Sequence, residues 1–139
     1  DKIIANNDIS SQFGSIGVMM SFMDVQPYYE KLGYKFHNIY APESTHKNKP
    51  FEKALEGNYD LIKTDMLSPL AIRFQNHVKE SRKNLNIESK GVLAGKMFFA
   101  KEAVSIGLAD AIGNLDFAID EARKISTQYL INQYTNPKN

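Results

Sequence analysis

The chain has 139 residues, with 17 Lys and Arg against 16 Asp and Glu, 42% hydrophobic residues and no cysteine. A chain of this length is normally one domain that buries a core of its own. The absence of cysteine excludes a disulfide scaffold, a thiolate zinc site, an iron–sulfur cluster and a cysteine nucleophile. A formal charge of +1 gives no basic surface for phosphates, so nucleic acid is not an expected partner.

The first third of the chain predicts three strands and one short helix. Residues 3–5 look like the end of a strand, and the apolar run 14–23 suits a strand covered on both faces. Asp24 is a candidate N-cap for a helix over residues 25–32. Residues 34–40 then alternate large apolar and polar side chains, which predicts a strand with one solvated face.

The rest of the chain alternates in the same way after a polar loop at residues 41–50. Residues 60–82 repeat an apolar side chain every four positions, which predicts an amphipathic helix with a kink or a restart after Ser68, before Pro69. There follow a short strand at 92–94, a helix at 100–106 that closes on Gly107, an extended piece at 108–112 and a helix at 115–130 capped by Asn114. Alternating strands and helices predict parallel pairing and an α/β layered domain.

Three histidines, His37, His46 and His77, are the only ones in the chain. No two of them have the i, i+4 spacing of a helical metal site. We therefore expect no metal centre, and we expect each histidine on a solvated strand face, loop or helix side.

The polar loop at residues 41–50 is a candidate site because it combines Ser44, His46, Lys47 and Lys49 after a predicted strand end. Ligands of open α/β sheets bind at such ends. Exposed lysines in polar loops are usually only solvated, and spacing alone favours that interpretation. A lysine acts as a base when burial lowers its pKa enough to leave a neutral amine.

A second candidate is the segment Gly14-Ser15-Ile16-Gly17. Its simplest interpretation is a turn into a central strand, in which glycine allows close backbone approach. It is not a phosphate cradle, since no helix and no Lys-Ser/Thr pair follow. Ser15 is not the exposed serine of a hydrolase elbow either, because a strand is predicted after it.

Several of these motifs occur together in a defined order. They are DKIIA at 1–5, GSIGVM at 14–19, KLGY at 31–34, the His46-Lys47 loop, GVLAG at 91–95, AKEA at 100–103 and GLADAIG at 107–113. The ordered set, from Asp1 to about Ala122, resembles the signal peptide peptidase A family of S49-type Ser/Lys peptidases, which includes phage-encoded relatives. Its last part is shared with crotonases.

The resemblance implies a ClpP/crotonase-like layered α/β fold with parallel strands and crossover helices. Residues 1–134 are then the C-terminal part of a single S49 peptidase-like domain, and residues 135–139 are a frayed tail. By position, Lys47 matches the general base and Ser15 matches the serine that orients the lysine. Lys49 and His46 are weaker candidates, and no cofactor is expected.

The resemblance also locates the nucleophile in a glycine-rich segment that precedes the part matched by residues 1–3. The expectation is that this chain starts after the nucleophile and is the C-terminal part of a longer serine endopeptidase. Its expected partners are the N-terminal remainder with the nucleophile, a peptide or protein substrate, and further copies of itself.

Two alternatives remain from the sequence, a crotonase-like acyl-CoA enzyme and a non-catalytic assembly subunit of the same fold. Within the peptidase interpretation, the substrates are either signal peptide remnants or phage scaffold and capsid proteins. The former places the enzyme at a bacterial membrane, and the latter in the cytoplasm. No run in the sequence is long and apolar enough to cross a bilayer.

Overall fold

Short strands and helices are distributed along residues 1–135, which are the part of the chain that the computed structural model describes. The strands are β1 (Ile4–Ala5), β2 (Gln12–Gly14), β3 (Met97–Phe99) and β4 (Ala111–Ile112). The helices are α1 (Gln26–Lys31), α2 (Lys49–Leu55), α3 (Ser68–Ser81), α4 (Ala100–Ser105) and α5 (Leu115–Thr135). A π-helical segment, Ile62–Leu67, directly precedes α3.

Contacts between residues divide these elements into two compact units. The first unit contains Asp1–Ile16 and the described residues from His77 onward, and the second contains Gly17–Asn76. The single domain expected over residues 1–134 stays a prediction. Of the expected frayed tail, Thr135 belongs to α5, and residues 136–139 lie outside the described part.

The first unit contains both strand pairs. β1 pairs in parallel with β4, with Ile4 opposite Ala111, although the two strands are more than 100 residues apart in sequence. β2 pairs antiparallel with β3, with Phe13 opposite Phe98. Parallel strands that are joined through helices agree with the predicted α/β class, whereas the antiparallel pair was not predicted.

The hydrophobic core of the first unit lies between β3, α4 and the turns around them. Phe98 and Val92 are the largest side chains that are almost completely buried, and Ala100 and Ala103 are buried on α4. Small side chains on α4 allow its backbone to lie close to β2 and β3. The buried cluster consists of Ile16, Leu85, Val92, Phe98, Ala103, Ile106, Leu108 and Ala109.

Helix α1 in the second unit ends as its sequence predicts, but its N-cap is Val25 and not the predicted Asp24. The Asp24 carboxylate accepts a hydrogen bond from the amide of Gln26 at 3.0 Å. Pro27 lies in the first turn, where a missing N–H costs nothing. Gly33 follows the helix with φ of +92°, the left-handed conformation that glycine adopts without strain.

Two strands predicted before and after α1 do not form in the described part of the chain. Strand β2 ends at Gly14, so residues 15–23 carry no strand, and residues 34–40 are exposed and outside any ladder. An apolar or alternating pattern gives a strand only where a neighbouring strand satisfies its backbone groups. The prediction of these two strands was wrong for that reason.

The helical region predicted over residues 60–82 does not break before Pro69, since Ser68 has helical φ and ψ of −62° and −45°. The π-helical segment ends at Leu67, and α3 begins at Ser68. Proline has no N–H to donate to the preceding turn and its ring displaces the preceding carbonyl. A wider π-type turn accommodates both effects before the regular helix resumes.

The strand predicted at residues 92–94 is a turn instead. Gly91 and Gly95 have φ of +84° and +87°, and the amide of Ala94 donates to the Gly91 carbonyl at 3.0 Å. Val92 is buried, so its apolar character reflects core packing and not a strand. The strand of this region is β3, a few residues later.

The last two helices begin at their predicted residues. α4 ends just before Gly107, which has φ of +85°. The Asn114 side-chain oxygen accepts a hydrogen bond from the amide of Phe117 at 3.0 Å, which caps α5 as predicted. α5 continues to Thr135, beyond the predicted end at residue 130.

Candidate functional site

Ser15 lies in a sharp turn at the end of β2. Gly14 has φ of +132°, and a Cβ atom there would lie 2.2 Å from the Lys96 carbonyl oxygen. Ser15 itself has φ of +54°, and its amide donates to the same carbonyl at 3.1 Å. The Ser15 side chain is exposed. Contact with the backbone next to β3 therefore fixes the backbone of this turn and leaves the hydroxyl free to meet another group.

Lys47 lies in a loop of successive turns between residues 41 and 48. The amide of Ser44 donates to the Ala41 carbonyl at 2.9 Å, and the amide of Lys47 donates to the Ser44 carbonyl at 3.0 Å. Lys47 is exposed in this chain. The backbone of the loop is thus ordered by its own hydrogen bonds, and the lysine side chain extends from it into solvent.

The two weaker candidates are neighbours of Lys47 with different surroundings. His46 is exposed, and its carbonyl accepts a hydrogen bond from the amide of Lys49 at 3.2 Å. Lys49 is half-buried and begins α2, so the polar loop predicted to end at Pro50 is two residues shorter. A helical position restricts the reach of Lys49 more than a loop position restricts Lys47.

Ser15 belongs to the first unit, whereas His46, Lys47 and Lys49 belong to the second. Each unit positions its own candidates by local hydrogen bonds. The roles of Ser15 as orienting residue and of Lys47 as base remain predictions from the resemblance.

A cleft of about 610 Å³ lies in the second unit beside α2, the helix that follows the Lys47 loop. The cleft is open to solvent, and most of its lining is apolar. Its lining includes Phe22, Leu55, Ile62, Leu67, Asp24 and Lys63. Such a surface suits an apolar side chain of an extended peptide.

The closing motif at residues 107–113 contains a contact that sequence reasoning missed. The Asp110 carboxylate accepts two hydrogen bonds from the Arg82 guanidinium, both at 2.8 Å, and a third from the Ile3 amide at 2.7 Å. Arg82 Nε also donates to the Gly107 carbonyl at 2.9 Å. The motif itself was recognised, but its partner Arg82 is 28 residues away and nothing in the spacing indicates it.

The charge of Asp110 is stabilised by these contacts. The hydrogen bonds from Arg82 lower the pKa of the Asp110 carboxyl below its usual value, and the Ile3 amide adds to this, while partial burial opposes it. The same pair raises the pKa of Arg82. Asp110 is therefore an ionised residue that fixes β1 and the closing segment, and not a candidate acid or base.

The histidines do not form a site with one another or with carboxylates. His37, His46 and His77 are all exposed. Within residues 1–135, no group of three His, Cys, Asp or Glu side chains is close enough together to hold a metal ion.

Comparison with known proteins connects this geometry to a family. The family model of peptidase family S49 matches residues 1–128, which include both Ser15 and Lys47. The chain belongs to peptidase family S49. A relative from Enterococcus faecium, named as a signal peptide peptidase SppA, is 29% identical over 124 residues. That alignment covers 89% of this chain but 35% of the relative, so the chain spans about a third of the length of this curated relative.

Among the helices of residues 1–135, none combines the length and the apolar character that a bilayer span requires.

Proposed function

We propose that this chain is part of a serine endopeptidase of the Ser/Lys type, in which Lys47 is the general base and Ser15 orients it. The observation that carries the proposal is the S49 match over residues 1–128, which contains both residues in the order that the resemblance implies. The proposed fold is ClpP/crotonase-like. The parallel pair β1 and β4, joined through intervening helices, supports it.

We propose that the serine which attacks the substrate is carried by an N-terminal remainder of the same protein. Lys47 accepts the proton of that serine hydroxyl as the oxygen attacks the peptide carbonyl. The C–N bond then breaks, and Lys47 returns the proton to the leaving amine. Water releases the acyl group in a second round with the same base.

Lys47 has to be shielded from water for this chemistry, because a hydrated lysine amine remains protonated near neutral pH. In this chain Lys47 is exposed. We propose that the N-terminal remainder, the bound substrate and neighbouring copies provide the cover. Exposed apolar side chains on α3 and α5, among them Leu70, Phe74, Tyr129 and Leu130, support assembly into a homo-oligomer.

The proposed substrates are extended peptides with small or apolar residues near the cut. The apolar cleft beside α2 supports this preference. The name of the Enterococcus faecium relative supports signal peptide remnants as the substrate, and phage scaffold or capsid proteins are the second class. The family match favours a peptidase over the crotonase-like acyl-CoA alternative.

The test compares lysine variants of the protein with its proposed N-terminal remainder, using a fluorogenic peptide with apolar residues before the cut. Lys47→Ala is expected to abolish cleavage and to leave the circular dichroism spectrum unchanged. Lys35→Ala, at another exposed lysine of the second unit, is the matched control and retains activity. Wild-type turnover by Lys47→Ala rejects the assignment, and loss of turnover in Lys49→Ala alone transfers the role to Lys49.

A second experiment tests where the nucleophile lies. A serine-directed phosphonate should label the longer protein and leave the isolated 139-residue chain unlabelled. Labelling of the isolated chain at Ser15 would show that Ser15 is itself the nucleophile and would overturn its proposed orienting role.

A further inference from the structure

The loop that carries Lys47 is closed by a contact between its two ends. Tyr40 precedes the loop and Asn48 ends it. The side-chain amide of Asn48 donates a hydrogen bond to the Tyr40 hydroxyl at 3.4 Å, across eight positions of the sequence. This bond spans all of the turns between residues 41 and 47, so it limits how far the loop can open.

Asn48 also determines how the chain leaves Lys47. Its φ of +63° and ψ of 4° are in the left-handed region, which asparagine tolerates better than most residues with a side chain. The Asn48 carbonyl accepts the amides of Phe51 and Glu52 at 3.0 and 3.1 Å, in the first turn of α2. Asn48 thereby connects Lys47 to the first turn of α2, and a helix is a stiffer support than a loop.

We propose that Tyr40 and Asn48 are positioning residues for Lys47. This inference rests on the proposed function, since it takes Lys47 as the base. A lysine side chain has four rotatable carbon–carbon bonds, and a loop that also moves would further spread the positions of its amine. Holding both ends of the loop reduces that spread and keeps the amine within reach of the serine hydroxyl.

The variants that test the proposal remove one group at a time in the longer, active protein. Tyr40→Phe removes only the hydroxyl, and kcat is expected to fall about three- to tenfold with KM unchanged. Asn48→Gly removes the amide and keeps the left-handed backbone, so a similar fall is expected. The double variant should be no slower than either single variant, because both remove the same hydrogen bond.

The backbone contribution of Asn48 is measured by a third variant. Asn48→Ala removes the amide and also places a less tolerant residue at φ of +63°. A larger fall in kcat than in Asn48→Gly is expected. Equal values for the two variants would show that the left-handed turn does not position Lys47.

The pH profile separates positioning from general damage to the fold. A looser loop leaves the lysine amine better hydrated, so the base keeps its proton to higher pH. The acid limb of kcat/KM should therefore move to higher pH in Tyr40→Phe. Tyr34→Phe, which removes the hydroxyl of another exposed tyrosine in the second unit, is the matched control and should keep the wild-type profile.

The outcomes distinguish this inference from the proposed function beneath it. Full activity of Lys47→Ala overturns the proposed function. If Lys47→Ala is inactive while Tyr40→Phe retains the wild-type kcat and acid limb, only the positioning role is overturned. A Tyr40→Phe variant that melts at a lower temperature and has an unmoved acid limb also overturns it, because its defect is then structural.

Discussion

The guanidinium of Arg82 and the carboxylate of Asp110 form a two-point ion pair with both nitrogen–oxygen distances at 2.8 Å. Arg82 follows the end of α3, and Asp110 precedes β4. Because Asp110 also accepts the Ile3 amide and donates its own amide to the Ile3 carbonyl, the pair fixes the start of β1 as well. One pair of side chains thus connects three segments that are distant in sequence.

Replacing Asp110 should destabilise the protein. Asp110→Ala removes three hydrogen bonds to a charged acceptor and leaves the partly buried Arg82 without its partner. We expect a loss of about 1–2 kcal/mol in the free energy of unfolding, measured by urea denaturation. Glu88→Ala, at an exposed carboxylate of the same unit, is the control and should change it by less than about 0.5 kcal/mol. Equal losses in both variants would contradict the role of the pair.

The same pair predicts a pH dependence of stability. The pKa of the Asp110 carboxyl is lower in the folded protein than its usual value of 3.8, mainly because of the hydrogen bonds from Arg82. Its contribution is therefore fully present above the unfolded pKa and is lost as pH falls through the folded pKa. Wild type should lose more stability than Asp110→Asn between about pH 5 and pH 2, and their unfolding free energies should converge at the acid end. Parallel curves would contradict the prediction.

Salt should separate a second cluster, whose lysines are exposed, from this pair. Hydrogen bonds from Lys124 and Lys2 lower the pKa of Glu121 from 4.5 to about 2. The side chains of Lys2 and Lys124 are 45% and 72% exposed, whereas that of Arg82 is 14% exposed. Exposed charges are screened by salt more strongly than partly buried ones. In about 1 M NaCl, wild type should therefore still lose stability in acid because of the Asp110 pair. Asp110→Asn lacks that pair, so it should lose less stability in acid at this salt concentration. An equal acid-dependent loss in wild type and Asp110→Asn at high salt would contradict this.

Gly14 and Gly33 form a matched pair for testing the turn before Ser15. Both have positive φ, but a Cβ at Gly14 would lie 2.2 Å from the Lys96 carbonyl oxygen, whereas nothing lies within 4 Å of one at Gly33. Gly33→Ala should cost about 1 kcal/mol from backbone strain alone, and Gly14→Ala should cost clearly more because the backbone must also shift. Equal losses in thermal or urea unfolding would show that the close approach to Lys96 is not required.

Ser15 is expected to contribute less to catalysis than Lys47, because it only orients the base. In the longer protein, Ser15→Ala should lower kcat about tenfold, the effect of one hydrogen bond. Ser15→Gly is the control, since it removes the same hydroxyl and relieves the φ of +54°. Similar kcat values for Ser15→Ala and Ser15→Gly would assign the loss to the missing hydroxyl. Recovery of kcat in Ser15→Gly would assign it to backbone strain.

Sequence patterns predicted the elements whose causes are local. Asn114 accepts the amide three residues later, and Gly33 and Gly107 follow their helices in the left-handed conformation. The change from π to α hydrogen bonding at Ser68 accompanies the neighbouring proline. These features depend on a few adjacent residues, so a single sequence contains all the information that they need.

Sequence patterns predicted strands less well, because a strand depends on a partner that is distant in the sequence. The alternation at residues 34–40 is that of a strand, but in the described chain no strand pairs with this segment. The apolar residues at 92–94 form a buried turn, since Val92 packs into the core while Gly91 and Gly95 reverse the chain. An apolar pattern reports burial, and burial alone does not distinguish a strand from a turn.

For the candidate site, the sequence by itself determined the family resemblance, the identity of Ser15 and Lys47 as candidates, and the exclusion of cysteine chemistry. Only the tertiary structure decided that Ser15 lies in a turn held by Lys96, that Tyr40 and Asn48 close the lysine loop, and that Arg82 pairs with Asp110. The reason is physical. Residue types and their spacing specify local hydrogen bonding and burial, whereas contacts across many residues form only when the folded chain brings their atoms to bonding distance.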